Sequence, residues 1–203
     1  MKTNKERLRD FFARLDSLDY IKPEQIPNID LYMDQVTTFM DEHLGQSKRY
    51  EDDKVLTKTM INNYAKNNLL PPPVKKKYSR EHMLLLVFIY YFKNMLSFHD
   101  IEALFAPITE GHFMDASGLQ DIYEEVFSME YEQMKRLKED LLRKFHASEE
   151  SFTDQKEDKD YLQLFTFICA LGFDVFLKKQ AMEMLIDQIR EDYPVDHSKK
   201  KKS

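Results

Sequence analysis

The sequence contains few of the residues that build turns and disulfide bridges. Its 203 residues include four glycines, seven prolines and one cysteine, Cys169. A single cysteine excludes an intramolecular disulfide framework and suits a reducing compartment. So few glycines and prolines argue against the many turns of a β-rich fold. The long segments rich in leucine, methionine and aromatic residues predict a mainly helical chain with short connections.

The usual sequence signatures of enzymes are also missing. The chain has no GxSxG, no glycine-rich phosphate loop, no CxxC and no HExxH. Histidines stand beside carboxylates in "DEHL" and "FHDIE", but adjacent helical residues point in different directions and do not form a metal site. We therefore expect no enzymatic activity, no cofactor and no metal.

Signals for membranes are weak as well. The first twenty residues lack the apolar core of a signal peptide and predict a short amphipathic helix. The most apolar window, residues 161–177, is interrupted by Gln163 and Asp174 and is short for a membrane span. We expect a soluble, cytoplasmic protein that is not in a membrane, with this window forming a buried core helix or a dimer helix.

Capping residues and apolar periodicity predict most of the helices. Thr57 and Ser79 are good N-caps, and Ser97 with Asp100 three residues later is typical of a capping box. Asn68 stands where a left-handed residue ends a helix. The predicted helices are 28–44 (stopped by Gly45), 58–67, 80–96 (apolar nearly all round and therefore buried), a short one ending before Pro107, one with an apolar stripe from Tyr123 to Phe145, and 161–189 with Gly172 as a candidate break.

Positive charge is concentrated in one segment of an acidic chain. The whole chain has a net charge of −6, yet residues 54–82, the basic island, hold seven lysines and arginines against one acidic residue. Such an island attracts the phosphates of duplex DNA. Lysines that only keep a loop soluble would give the same count, so charge alone decides nothing.

The order of the pieces within the island favours DNA. The helix that starts at Lys58 is short and has hydrogen-bonding residues on its outer face, and asparagine is the side chain that bonds adenine in a bidentate fashion. A stiff segment with three prolines and three lysines follows, which we call the wing (residues 71–78), and then a buried helix. The predicted base-reading residues are Lys58, Thr59, Asn62, Asn63 and Lys66.

This order resembles the winged helix-turn-helix of MerR-type regulators. In that pattern Ile61 and Tyr64 match the recognition helix, Asn68 to Pro71 match its Gly-Leu-Leu-Pro turn, and Tyr78-Ser79 match the end of the wing; Ile89 and Ile101 match later positions. Asn62 and Asn63 stand where MerR proteins have an arginine and a tyrosine. More closely, "LTKTMINNYAKNNLLPPPVKKKYSREHMLLL" is similar to the bacterial family called domain of unknown function 1836.

The resemblance implies a fold, an organisation and a set of DNA contacts. The fold is mainly α, a MerR-like winged helix-turn-helix with at most a small β-wing, followed by a helical region. The predicted domains are residues 1–27 (N-terminal helix and linker), 28–110 (DNA-binding domain), 118–193 (helical dimerisation or core region) and 194–203 (disordered basic tail). Besides the helix, Lys75, Lys76, Lys77, Tyr78 and Arg80 would contact the DNA backbone. Two-fold symmetric readers of DNA are dimers, so a homodimer is expected.

Two other functions remain open on the sequence. The missing arginine and the acidic "EDD" at residues 51–53 favour a protein-interaction module that kept the fold without binding DNA. A small-molecule sensor would instead bind an effector in a cavity among Phe165, Phe173 and Phe176, although such side chains more often form plain core.

Overall fold

The structure is a computed structural model that describes residues 2–18, 20–111, 113, 118–155 and 157–194, without the side chains of Glu130 and Tyr131. Helices hold 71% of the described residues and strands 3%, so the prediction of a mainly α protein is confirmed. Residues 195–203 of the predicted disordered tail lie outside the described residues.

Eight α-helices and two short strands form the described part of the chain. They are, in order, α1 (Asn4–Asp16), β1 (Leu31–Tyr32), α2 (Met33–Leu44), α3 (Lys58–Lys66), β2 (Lys77–Tyr78), α4 (Arg80–Phe92), α5 (Phe98–Gly111), α6 (Gly118–Ser128), α7 (Glu130–Glu149) and α8 (Lys159–Asp192). Single 3₁₀ turns lie at Pro23–Gln25 and Gly45–Ser47. The two strands pair antiparallel, with Leu31 opposite Tyr78 and Tyr32 opposite Lys77.

The chain divides into two compact units. One unit consists of Met1–Asp19 and Val126–Gln180, and the other of Tyr20–Glu125 and Ala181–Ser203. This division reflects contacts within the chain and does not test the predicted functional domains, which stay a prediction.

The larger unit is built around α4. The eight consecutive residues from His82 to Ile89 are buried, because hydrophobic side chains occupy nearly every position of this helix and each needs a neighbour that excludes water. The ring of Tyr123 on α6 packs against Phe88, and the Tyr123 hydroxyl donates a hydrogen bond to the carbonyl of Ile21. In the smaller unit, Leu15 on α1, Leu141 and Phe145 on α7, and Phe167 on α8 form the core.

Local capping signals predicted several helix ends correctly. The Ser97 amide donates to the Asp100 carboxylate (3.1 Å), and the Asp100 amide donates back to the Ser97 hydroxyl (3.2 Å). This confirms the capping box. Helix α2 ends at Leu44 with Gly45 as its C-cap, as expected.

Several helix boundaries differ from the prediction. Helix α2 begins at Met33 rather than at Asn28, because Leu31 and Tyr32 are strand residues bonded to the wing. Helix α5 continues through Pro107 to Gly111, since a proline in a helix removes only one backbone hydrogen bond and the turns beyond it can still form.

The stripe from Tyr123 to Phe145 lies on two helices separated at Met129, because its two ends belong to different units: Tyr123 is buried in one unit, Leu141 and Phe145 in the other.

Helix α8 differs most from its prediction. It is continuous over Gly172, and a Cβ added there would meet nothing within 4 Å. Its apolar residues are largely exposed, so the expectation of a buried core helix is wrong for the single chain. By length and composition alone α8 could cross a membrane, and only 11% of its most apolar window is buried.

Candidate nucleic-acid interface

Helix α3 has one buried side and one polar side. The Thr57 hydroxyl accepts a hydrogen bond from the Met60 amide at 3.1 Å, which confirms the predicted N-cap. Ile61 and Tyr64 are buried, so they fix which side of the helix faces the core. The five residues predicted to face DNA are all exposed: Lys58, Thr59, Asn62, Asn63 and Lys66.

The end of α3 follows the expected geometry. Asn68 has φ 62°, in the left-handed region. The Leu69 amide donates to the Tyr64 carbonyl (2.9 Å), and the Asn68 amide donates to the Ala65 carbonyl (3.3 Å). This pair of bonds is a Schellman motif, in which asparagine takes the place usually held by glycine. The turn ends α3 sharply and directs the chain into the prolines of the wing.

The wing is a hairpin with a two-residue turn. The Val74 amide donates to the Lys77 carbonyl (3.1 Å) and the Lys77 amide donates to the Val74 carbonyl (2.9 Å). The two residues between them, Lys75 and Lys76, have φ 51° and 67°. Positive φ at both central positions defines a type I′ turn, which normally contains Asn-Gly because side chains strain that backbone. Both lysine side chains are exposed at the tip.

Strand β1 brings the wing close to the start of α3. Tyr32 on β1 pairs with Lys77, whose ammonium lies 5.2 Å from the centre of the Tyr32 ring. Two residues later, Asp34 in the first turn of α2 forms an ion pair with Lys58. The short segment from Tyr32 to Asp34 therefore contacts both halves of the predicted interface, and it introduces an acidic group beside Lys58.

Two predicted contact residues have structural roles instead. Tyr78 is 2% exposed, so its side chain is part of the core and is not available to DNA backbone. Burial also raises its pKa above the ordinary tyrosine value. Arg80 is half-buried, and its guanidinium donates to the carbonyl of Pro23 at 2.7 Å. The assignment of these two residues as phosphate contacts is therefore corrected, whereas Lys75 and Lys76 are exposed and Lys77 is half-buried.

The acidic loop between α2 and α3 is partly folded back on itself. The Asp53 carboxylate accepts hydrogen bonds from the amides of Arg49 (3.2 Å) and Tyr50 (3.0 Å). Asp53 thus organises its own loop, while Glu51 and Asp52 are exposed. The loop is tied to the end of α4, where the Lys93 ammonium donates to the Val55 carbonyl at 2.8 Å. Burial lowers the pKa of Lys93 below its ordinary value.

His82 was missed by the sequence reasoning. It is 3% exposed, and its two ring nitrogens bond to backbone groups at opposite ends of the wing. The one available signal is its position three residues after Ser79, the third helical position, where a side chain can bond back to the N-cap amide. Nothing local in the sequence shows its second partner, which lies eleven residues earlier.

The other predicted features of the chain do not assemble into a site. Within the described residues, no three or more His, Cys, Asp or Glu side chains are grouped so that they could hold a metal ion. Phe165, Phe173 and Phe176 are 53%, 68% and 57% exposed, so they do not enclose the expected effector cavity. Cys169, which lies in the window expected to form a buried core helix or a dimer helix, is also exposed.

Comparison with known proteins identifies a family for the part of the chain that contains the interface. The family model described as Domain of unknown function (DUF1836) matches residues 21–126, just over half of the chain. No curated protein matches the chain, and no solved structure does.

Proposed function

We propose that this chain, which belongs to the Domain of unknown function (DUF1836) family, is a cytoplasmic, non-enzymatic transcription regulator that binds duplex DNA through a MerR-like winged helix-turn-helix. Helix α3 would lie in a major groove, and the wing lysines would contact phosphates beside it. The succession of short strand, two helices, hairpin and buried helix supports this proposal, as does the resemblance in sequence described above.

The backbone of the wing tip is the observation on which the proposal chiefly rests. Lys75 and Lys76 hold left-handed conformations that cost side-chain-bearing residues on the order of 1 kcal/mol each. Asparagine and glycine would form the same turn with less strain. Two lysines at these positions therefore make the fold less stable. What they contribute instead is two exposed positive charges at the end of a rigid hairpin.

The exposed side of α3 supplies the complementary chemistry. Asn62 and Asn63 are both exposed, and an asparagine amide can bond the adenine edge in a bidentate fashion. Lys66, one turn further along, would contact phosphate or guanine. Sequence preference would therefore come from α3, and most of the salt-dependent affinity from the wing.

Replacing the turn lysines separates folding from binding. In the double variant Lys75→Asn/Lys76→Gly we expect the free energy of unfolding to rise by about 1 kcal/mol, because the new residues suit a type I′ turn. Affinity for random duplex DNA should fall, and the slope of log K against log salt concentration should become shallower by about two, because two phosphate contacts are lost. Fluorescence anisotropy with a labelled duplex at several salt concentrations measures both quantities.

A charge-matched variant controls for net charge. Lys135 on α7 and Lys178 on α8 are exposed and lie outside the basic island, so Lys135→Gln/Lys178→Gln removes the same charge elsewhere. We expect this control to keep the wild-type salt slope. Equal slopes for the wing variant and the wild type would overturn the assignment of the wing to DNA.

We further propose that the chain is a homodimer formed through the exposed apolar side of α8. Phe165, Ile168, Phe173 and Phe176 recur at helical spacing on this helix and are at least 53% exposed. A single soluble chain rarely leaves so many large apolar side chains in water. A second copy would cover them and would place two winged units for two half-sites.

Sedimentation tests the dimer. Ile168→Glu should convert a dimer into a monomer, whereas Lys159→Gln, which changes the net charge by the same one unit at the start of the same helix, should leave the dimer intact. A wild-type chain that is monomeric at every concentration would overturn the proposal, and binding of the monomer to lipid vesicles would point to a membrane surface instead.

The ion pair between Lys58 and Asp34 favours a second candidate function. An acidic side chain beside the predicted recognition helix repels phosphate and reduces the charge of the interface. The exposed lysines of the wing tip, Lys75 and Lys76, lie outside this ion pair and would then bind an acidic protein. In that case a partner retained by the wild type would survive nuclease treatment, would be released by Lys75→Asn/Lys76→Gly, and would not be displaced by duplex DNA.

A further inference from the structure

His82 connects the two ends of the wing through one imidazole ring. Its Nδ1 accepts a hydrogen bond from the Ser79 amide at 3.0 Å, just after the wing. Its Nε2 lies 3.1 Å from the carbonyl oxygen of Pro71, where the wing begins. The His82 side chain therefore binds the backbone on both sides of the seven residues between Pro71 and Ser79.

Only the neutral ring can make both bonds. A carbonyl oxygen accepts, so Nε2 must carry the hydrogen; an amide donates, so Nδ1 must have a free lone pair. Burial lowers the pKa of His82, although the carbonyls of Pro71 and Pro72 and the charges of Glu81 and Asp30 oppose this. The neutral form is therefore the one present at neutral pH.

Aromatic neighbours fix the plane of the ring. The Tyr78 ring meets it edge-on with centroids 5.5 Å apart, and the Phe113 ring does so at 4.8 Å. With the ring held by packing, its two nitrogens have little freedom to change partners. The Ser79 hydroxyl donates to the Glu81 carboxylate (2.5 Å), so the hydroxyl proton is already in use.

We propose that His82 is the positioning residue of the wing: its two bonds hold Lys75, Lys76 and Lys77 in the orientation in which they contact phosphate. The proposal rests on the DNA-binding function proposed above. A simpler role, capping α4 through the Ser79 amide alone, would need only one of the two bonds. The bond to Pro71 is the one that such a cap leaves unexplained.

Two substitutions at this position separate the roles. His82→Phe keeps the ring and removes both nitrogens, while His82→Gln keeps an acceptor and a donor at a similar separation. In His82→Phe we expect the hydrogen exchange of the Val74 and Lys77 amides to accelerate about tenfold relative to amides of α4, because the wing opens on its own. Duplex affinity should fall in proportion to the fraction of molecules that still hold the binding orientation. His82→Gln should restore most of the exchange protection and most of the duplex affinity.

Acid provides a second test without a substitution, and it breaks only the bond from Ser79, because the protonated ring still donates from Nε2 to Pro71. As pH falls below the ordinary histidine pKa of 6.5, protonation of His82 removes the acceptor for Ser79. Exchange at Val74 and Lys77, corrected for its intrinsic pH dependence, should then rise in the wild type. Glu81, Asp30 and Tyr78 face the ring and remain in His82→Phe, so a pH effect that comes from His82 should be absent from that variant.

The outcomes distinguish the two proposals. Faster wing exchange together with weaker duplex binding supports both. Faster wing exchange in a protein whose wild type binds no duplex keeps the positioning role of His82 and rejects the DNA function. Wing exchange that changes only in step with α4, or a wild-type pH effect that persists in His82→Phe, overturns the positioning role. If His82→Phe fails to fold, exchange in the wild type across this pH range still decides the matter: no selective rise at Val74 and Lys77 overturns it.

Discussion

Helices α4 and α8 are both strongly apolar, yet they differ completely in what surrounds them. In α4 the residues from His82 to Ile89 are all buried. In α8 Phe167 is 7% exposed, but Phe173, only six residues later, is 68% exposed. Apolar composition therefore predicts that a helix needs a covering surface, and it does not predict whether that surface belongs to the same chain.

The two helices differ in how many elements of the same chain pack against them. Helix α4 packs against elements on several sides: the Phe88 ring contacts Phe105 on α5 (5.9 Å) and Tyr123 on α6 (5.3 Å). Helix α8 contributes to both units and leaves most of its large apolar residues exposed. In the smaller unit Phe167 contacts Phe145 on α7, with ring centroids 5.5 Å apart. The proposals for the two helices differ accordingly, because α4 supports the wing and α8 is available to a partner.

Truncating a side chain in α4 should have the largest effect. Leu86 is 0% exposed, and Leu86→Ala should lower the free energy of unfolding by about 3 kcal/mol through lost burial and the cavity left behind. Urea denaturation followed by circular dichroism measures this change. A cost below about 1 kcal/mol would mean that α4 is no better packed than α8, and the comparison would fail.

Removing one hydroxyl from the cover of α4 should have a smaller effect. Tyr123 is 0% exposed and its hydroxyl donates to the Ile21 carbonyl. Tyr123→Phe keeps the ring on Phe88 and leaves that carbonyl without its donor, which should cost about 1–2 kcal/mol. Tyr50→Phe, a change of the same kind at an exposed position in the loop between α2 and α3, is the matched control. If the two variants lose the same free energy of unfolding, the buried hydrogen bond adds nothing to the packing around α4.

The ion pair at the end of α8 should contribute less again. Arg190 donates to the Asp100 carboxylate at 2.6 Å. Burial raises the Asp100 pKa, but the bonds from Ser97 and Arg190 outweigh it and lower the pKa below its ordinary 3.8. Because the folded pKa is lowered, the stabilisation is present above pH 3.8 and is lost as pH falls through the folded value.

The variant Arg190→Gln measures this pair and leaves the Ser97 cap intact. We expect it to cost less than about 1 kcal/mol near neutral pH, since Arg190 is partly exposed and screened by solvent. The difference from wild type should shrink as Asp100 becomes protonated. A difference that stays constant down to about pH 3 would show that packing, and not charge, holds the end of α8.

The parts of the fold that could be predicted are those decided by neighbouring residues. Thr57, Asn68 and the Ser97–Asp100 pair act within one helical turn, so their roles are visible in the sequence. The pairing of Leu31 with Tyr78 joins residues that are far apart in the chain. No local pattern records such a contact, and the exposure of α8 is undetectable for the same reason.

Within the candidate site the same distinction holds. The five exposed residues of α3 follow from helical periodicity, because Ile61 and Tyr64 fix the buried side. The left-handed turn at Lys75 and Lys76 has no sequence signal, since type I′ turns are recognised by Asn-Gly. The resemblance to the winged helix-turn-helix predicts DNA contacts for Tyr78 and Arg80, whereas in the structure Tyr78 packs inward and Arg80 bonds to Pro23.

Truncating a side chain on the exposed side of α8 should have the smallest effect on the single chain. Phe173→Ala removes a large ring that is 68% exposed, so it should change the free energy of unfolding by less than about 0.5 kcal/mol in dilute protein. Phe167→Ala, on the same helix but 7% exposed, is the matched control and should cost about 3 kcal/mol. At high protein concentration the cost of Phe173→Ala should rise towards that of Phe167→Ala. The reason is that a wild-type dimer that buries Phe173 adds its free energy of association to the stability, and the variant loses this. A Phe173→Ala variant that is as unstable as Phe167→Ala at every dilution would mean that the chain itself covers this side of α8, and neither the contrast with α4 nor the proposed dimer surface would then stand.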